Sequence, residues 1–234
     1  MTPRGCLLTI LAIGGIVLAV LWVALPPVMS GLAAAALTGA GVHGTDTRVE
    51  VGADPPLRLL FLEANRVRLT STDTEIRNVH ADSVDVTLRD VSIGGRTFRF
   101  IEGSLSGVRV TPDQGPVFAA ERVQITGPAE AARVVITVDR NQVLDLVSSA
   151  LGLPSSAVSR SVSLASPDRV TVTTPGGTVT GRLDVTPAGD LALLPSTGVS
   201  VRLLSTGPNQ PVRLQSVQIA GDVLELGGVI NLLP

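Results

Sequence analysis

The chain has no lysine, no tyrosine, one cysteine, one tryptophan and two histidines, and aromatic residues make up only 2% of it. Each scarcity removes a class of function. A single cysteine gives no disulfide framework and no Cys-based metal site, so packing alone must hold the folded body. Cys6 also precedes the long apolar run, whereas a bacterial lipoprotein cysteine would follow it. Four phenylalanines and Trp22 cannot build the stacking platforms that single-stranded nucleic acids or carbohydrates require. The 18 basic residues, all arginine, are scattered and balanced by 20 acidic ones. They form no phosphate-tracking stripe, and nucleic acid is not an expected partner. The all-arginine usage reads as the composition bias of a GC-rich genome.

Catalytic chemistry is equally thin. His43 lies in a glycine-rich stretch. His80 has Asp82 and Asp85 nearby, and a serine could in principle complete a triad. One histidine with ordinary carboxylates reads better as a turn or strand-edge residue. Gly103-Ser104-Leu105-Ser106-Gly107 places Leu105 where a nucleophile elbow needs its serine. The glycine-rich 176–181 lacks the lysine and hydroxyl of a P-loop and reads as a hairpin turn. No His, Cys or carboxylate cluster has metal-ligand spacing. The expectation is therefore a non-enzymatic protein with no catalytic residues, no metal and no cofactor.

What the chain does have is aliphatic side chain, 44% of it being hydrophobic. Residues 7–25 carry no charge over 19 positions, about 28 Å as a helix and close to a bilayer's apolar thickness. Arg4 precedes this run and no basic residue follows until Arg48, which orients the N-terminus inward and the body outside the cytoplasm. A signal peptide with a small-residue cleavage site at 33–36 is the competing reading, but the run exceeds the usual apolar core of about 7–15 residues. The expected organisation is a cytoplasmic stub and transmembrane anchor over 1–37, a tether over 38–46 and one extracytoplasmic domain over 47–234.

Within that domain the pattern is mostly of period two. Val84, Val86 and Leu88 alternate with Asp85, Thr87 and Arg89, the mark of a strand with one dry and one wet face. A hairpin is expected across 175–177, between strands at 169–173 and 178–186. Two pieces break the alternation. Residues 57–64 read as a short helix with Leu57, Leu60, Phe61 and Ala64 on one face, opened by Pro55-Pro56. Residues 139–151 read as the main amphipathic helix, with Val143, Leu144, Leu146, Val147, Ala150 and Leu151 forming a broad apolar face. Asp139 and Gln142 are spaced as a capping box, and Gly152 and Pro154 supply the stop.

The order of these features resembles the LmeA-type phospholipid-binding family of bacterial envelope proteins. The likeness is carried by the N-terminal anchor, by the strand, proline turn and short helix of 49–69, by 76–91 leading through 120–126 to 134–151, and by 170–195 with its Leu191-Ala192-Leu193-Leu194-Pro195 ending. The segments 54–56 and 224–234 depart from the family pattern. The resemblance implies an α+β fold in which a strongly curved antiparallel sheet wraps around one main helix, as in tubular lipid-binding domains. It also implies phospholipid binding in the cell envelope, in support of envelope lipid or lipoglycan maintenance. An apolar groove needs aliphatic walls and few polar groups, and the residues expected to line it are Leu57, Leu60, Phe61, Val143, Leu144, Val147 and Leu151. The rival expectation is an envelope scaffold with a solid core that binds a protein partner, for instance by strand addition at a sheet edge.

Overall fold

A computed structural model describes residues 42–76, 79–95, 97–111, 117–150, 162–174, 177–196, 200–204 and 212–232. The expected anchor, residues 38–41 of the expected tether, the helix stop at 152–154 and Leu151 lie outside the described residues, while residues 42–46 of that tether are the start of a strand. The first half of the chain forms β1 (Val42–Gly52), a 3-10 helix (Pro56–Phe61), β2 (Glu63–Ile76), β3 (Val79–Ser92), β4 (Phe100–Val110), β5 (Phe118–Pro128) and β6 (Ala132–Asp139). One α-helix, α1 (Arg140–Ala150), follows. The remainder is β7 (Val162–Ala165), β8 (Arg169–Thr174), β9 (Gly177–Val185), β10 (Leu191–Pro195), β11 (Val201–Leu204), β12 (Val212–Ala220) and β13 (Val223–Ile230).

These strands make two open antiparallel sheets. The large one runs β1-β2-β3-β4-β5-β6-β13-β12 and the small one β11-β10-β9-β8-β7. The expected hairpin is β8–β9, closed by Thr174 opposite Gly177. The expected main helix wrapped by a curved sheet is not present; the fold is mostly β. The reason is one of dimensions. Eleven helical residues extend about 16 Å, whereas eight strands spaced about 4.8 Å apart are roughly 34 Å across. The helix can therefore plug only one end of the sheet. It packs against β11 of the small sheet and β5, β6 and β13 of the large one.

That corner is the main core. Val138, Val143, Leu144 and Val147 interlock with Val170, Leu183, Leu191 and Leu193 of the small sheet and with Leu214, Ile219, Leu224 and Leu226 of the large one. Asp139 caps α1, its carboxylate accepting from the Asn141 N–H and, at 3.2 Å, from the Gln142 N–H. No reciprocal bond from Gln142 to Asp139 accompanies this cap, and the Gln142 side chain reaches the approach to β5 instead, its Nε2 donating to the Val117 carbonyl at 3.2 Å.

The N-terminal end of the large sheet is built differently. In β2, β3, β4 and β5 the alternation slips along one transverse line, where two successive residues face outward: Thr72-Asp73, Asp82-Ser83, Ser106-Gly107 and Glu121-Arg122. The flanking residues Ser71 and Thr74, Ala81 and Val84, Leu105 and Val108, and Ala120 and Val123 all turn inward. Pairing continues unshifted across the line, Val84 facing Leu105 and Leu105 facing Val123 on one side, Ala81 facing Thr74 and Val108 facing Ala120 on the other. This is a crease shared by four strands. Asp73 and Gly107 turn it with φ of 49° and 58°, a region open to glycine and tolerated by aspartate. A Cβ on Gly107 would collide with the Asp82 carboxylate. His80 Nε2 lies 3.2 Å from Asp82 and 3.7 Å from Asp73, and Ser83 Oγ is 2.6 Å from Ser106 Oγ, so polar contacts knit the outer side.

Candidate functional site

Between the crease and the far strand ends, the large sheet presents two opposed faces. On one, cross-strand neighbours form aliphatic rows: Leu69–Val86–Gly103–Ile125–Val134 and Val67–Leu88–Ile101. Gly103 is required in the first row, since a Cβ there would stand 2.9 Å from both the Asp85 carbonyl oxygen and Val86 Cγ2. Leu69, Val86, Leu105 and Val123 are only partly buried, around a cluster of Ala81, Val84, Val108 and Ala120. Every member of that cluster comes from β2–β6 of this one sheet, and among the described residues no side chain of the small sheet joins it. Their neighbours within the sheet thus bury these side chains incompletely. The face continues into adjoining apolar clusters through Leu69 at one end and through Phe118 and Ile136 at the other.

The opposite face is wet. A cleft of about 910 Å³ there is lined by Arg66, Arg68, Arg89, Asp85, Glu102 and neighbouring amide and hydroxyl side chains. Arg68 grips Asp85 through two hydrogen bonds of 3.0 and 2.8 Å, and Arg89 reaches Glu102 at 3.2 Å while standing 5.9 Å over the Phe100 ring. The Arg68 hydrogen bond holds the Asp85 carboxyl below the usual carboxylate range, and Asp85 in turn raises Arg68. A charged ladder of this kind suits water and polar groups, and it would penalise a buried hydrocarbon chain.

The residues expected to line a groove fall into separate places. Val143, Leu144 and Val147 are 1%, 6% and 0% exposed in the main core. Leu57, Leu60 and Phe61 sit at the other end of the sheet, on the 3-10 helix beside β2. Leu57 is partly buried, whereas Leu60 and Phe61 are exposed. The side chain that the short helix buries is Leu59, packed with Val49, Val51 and Ala64. A 3-10 turn repeats every three residues rather than every 3.6, which rephases the expected face. The face that sequence reasoning passed over comprises Leu69, Val86, Leu105, Val123 and Ile125. Its signal was the dry-and-wet alternation of residues 84–89, which marks a half-buried strand without saying whether anything covers the dry side.

His80 meets Asp82 and Asp73, while Asp85 is engaged by Arg68 instead. Among the described residues no group of three or more His, Cys, Asp or Glu side chains could hold a metal ion, and no helix is long and apolar enough to cross a membrane. Comparison with known protein families, with curated proteins and with solved structures finds no match for this chain.

Proposed function

We propose that the chain is a membrane-anchored, extracytoplasmic lipid-binding protein that seats phospholipid acyl chains on the apolar face of its large sheet. The observation carrying this reading is the aliphatic cluster drawn from a single sheet, with Leu69, Val86, Leu105 and Val123 only partly buried. An acyl chain laid along these rows would complete their burial, contributing about 0.8 kcal/mol per methylene, or roughly 6 kcal/mol for eight of them. Hydrocarbon needs no hydrogen-bond partner, and the rows offer none. The 19-residue uncharged run at 7–25 and the resemblance to envelope phospholipid-binding proteins point the same way. Relative to the sequence-based expectation, the seat moves from the main helix to the sheet.

The test is photo-crosslinking. The full-length chain is reconstituted in vesicles containing a phospholipid with a diazirine on one acyl chain, irradiated and digested. Adducts are expected on β2–β5 at Leu69, Val86, Leu105, Val123 or Ile125. Adducts confined to residues 7–25 would overturn the proposal.

One observation favours a second reading. The large sheet is open, and β1 presents an 11-residue edge with no further strand beside it among the described residues. Such an edge can accept a partner strand. On that reading the protein is a scaffold, and hydrogen-exchange protection on binding would appear along β1 rather than on β2–β5.

A further inference from the structure

Leu60, Phe61 and Leu62 are 54%, 78% and 43% exposed, three consecutive large apolar side chains at one corner of the large sheet. The chain has four phenylalanines, and the other three are partly buried. Among the described residues, the most outward aromatic position is therefore occupied by one of the scarcest residue types. The corner is also firmly built. Leu59, 2% exposed, anchors it in the cluster of Val49, Val51 and Ala64. Leu62 adopts a left-handed conformation with φ of 57°, its N–H donating to the Leu59 carbonyl at 3.0 Å and its carbonyl accepting from Ile93 N–H at 2.8 Å. Asp54 N–H donates to Asn65 Oδ1 at 2.7 Å, and Arg58 pairs with Glu63 at 3.2 Å. The three side chains are thus held outward by a fixed backbone.

The corner is continuous with the proposed seat. Leu59 and Ala64 belong to a cluster that includes Leu69, and Leu69 packs equally with the partly buried aliphatics of β3–β5. Apolar packing thus continues from Leu59, beside the exposed tip in the chain, onto the sheet. We propose that Leu60, Phe61 and Leu62 insert into the surface of the bilayer and form the mouth through which acyl chains pass onto the sheet, a proposal that rests on the lipid-binding reading above.

The uncharged run at 7–25, read as an anchor, argues for a bilayer as the occupant. Sixteen residues separate the uncharged run ending at Leu25 from Val42; with 26–37 taken as the end of the anchor helix and 38–41 extended, they would reach about 32 Å. Strand β1, 11 residues long, ends at Gly52 just before the tip, which places the tip roughly 36 Å from Val42. The reach is close to the distance, so the tip can come down to the surface of the membrane that holds the anchor.

Depth-dependent quenching tests the proposal on the full chain. In a Cys6→Ser background, an environment-sensitive fluorophore is attached to Phe61→Cys or, as a comparison, to Val179→Cys, an exposed site on β9. In vesicles with brominated acyl chains, position 61 is expected to lose at least half its emission and position 179 to be unaffected. A Leu60→Asp/Phe61→Asp variant, altered only at exposed positions, is expected to reduce sheet crosslinking from bilayers at least fivefold. It should leave crosslinking from mixed micelles unchanged, because the seat itself is intact. Unquenched emission at position 61, or normal crosslinking from bilayers in the double variant, overturns the mouth and leaves the seat standing. Absence of sheet crosslinking from bilayers and micelles alike, in the unmodified chain, overturns both.

Discussion

Introducing a charge at two positions separates the main core from the open sheet face. Val147 is 0% exposed, enclosed by α1 and both sheets. Replacing it with aspartate forfeits about 1.5–3 kcal/mol of aliphatic burial. It also buries a carboxyl group without a partner, which costs a further 2 kcal/mol or more, approximately, even when the group is neutral. The sum, about 4–8 kcal/mol, is comparable with the whole net stability of an ordinary domain, about 5–15 kcal/mol. Val147→Asp should therefore fail to fold, or melt far below the parent. Leu105 lies in the half-open rows. There a carboxylate can turn toward water, and the loss should be about 1 kcal/mol of partial burial. Leu105→Asp should remain folded yet lose most acyl crosslinking. The assay pairs far-UV circular dichroism melts with crosslinking yield for both variants. A Val147→Asp chain that melts like the parent but no longer takes lipid would refute the reasoning, because it would make α1 the groove wall.

Three further outcomes follow from individual contacts. Asp139→Ala removes the acceptor for two N–H groups at the start of α1 and should cost about 1 kcal/mol in a thermal melt. Gly107→Ala should cost more than Gly221→Ala. Both have positive φ, worth about 1–2 kcal/mol each, but only Gly107 has the Asp82 carboxylate where the Cβ must go, whereas nothing lies within 4 Å at Gly221. Asp85 titrates below its ordinary value because of Arg68, so the pair contributes stability above the unfolded carboxylate pKa and loses it as pH falls through the folded one. Asp85→Asn should therefore flatten the acid limb of a stability–pH curve, more clearly at low salt than at high.

Much of the strand pattern could be read directly. Residues 84–89 declared a two-faced strand, the 175–177 turn declared its hairpin, and Asp139 declared the start of α1. What could not be read was the relation between distant elements. An amphipathic helix looks the same whether a sheet wraps it or it plugs one corner between two sheets, because periodicity reports that a face is buried and not by what. That is why Val143, Leu144 and Val147 were expected in a groove and are found in the core. The short helix at Pro56–Phe61 failed for a local reason: six residues beginning with proline can take a three-residue repeat as readily as a 3.6-residue one. The crease left its trace in plain view, as paired polar residues at 72–73, 82–83 and 121–122. Alone, each pair resembles an ordinary irregularity; only alignment across four strands gives them meaning.

That alignment has an evolutionary consequence. A residue inserted in one strand beside the crease would turn every later side chain of that strand to the opposite face, while its neighbours kept theirs. Repair would require matching insertions in the adjoining strands, so the position of the crease cannot drift by single steps. Turns such as 221–222 are freer to lengthen, since no cross-strand pair counts their residues. Length variation among descendants of this chain should therefore gather at the strand connections and be purged from a band crossing β2, β3, β4 and β5, whatever substitutions that band accepts.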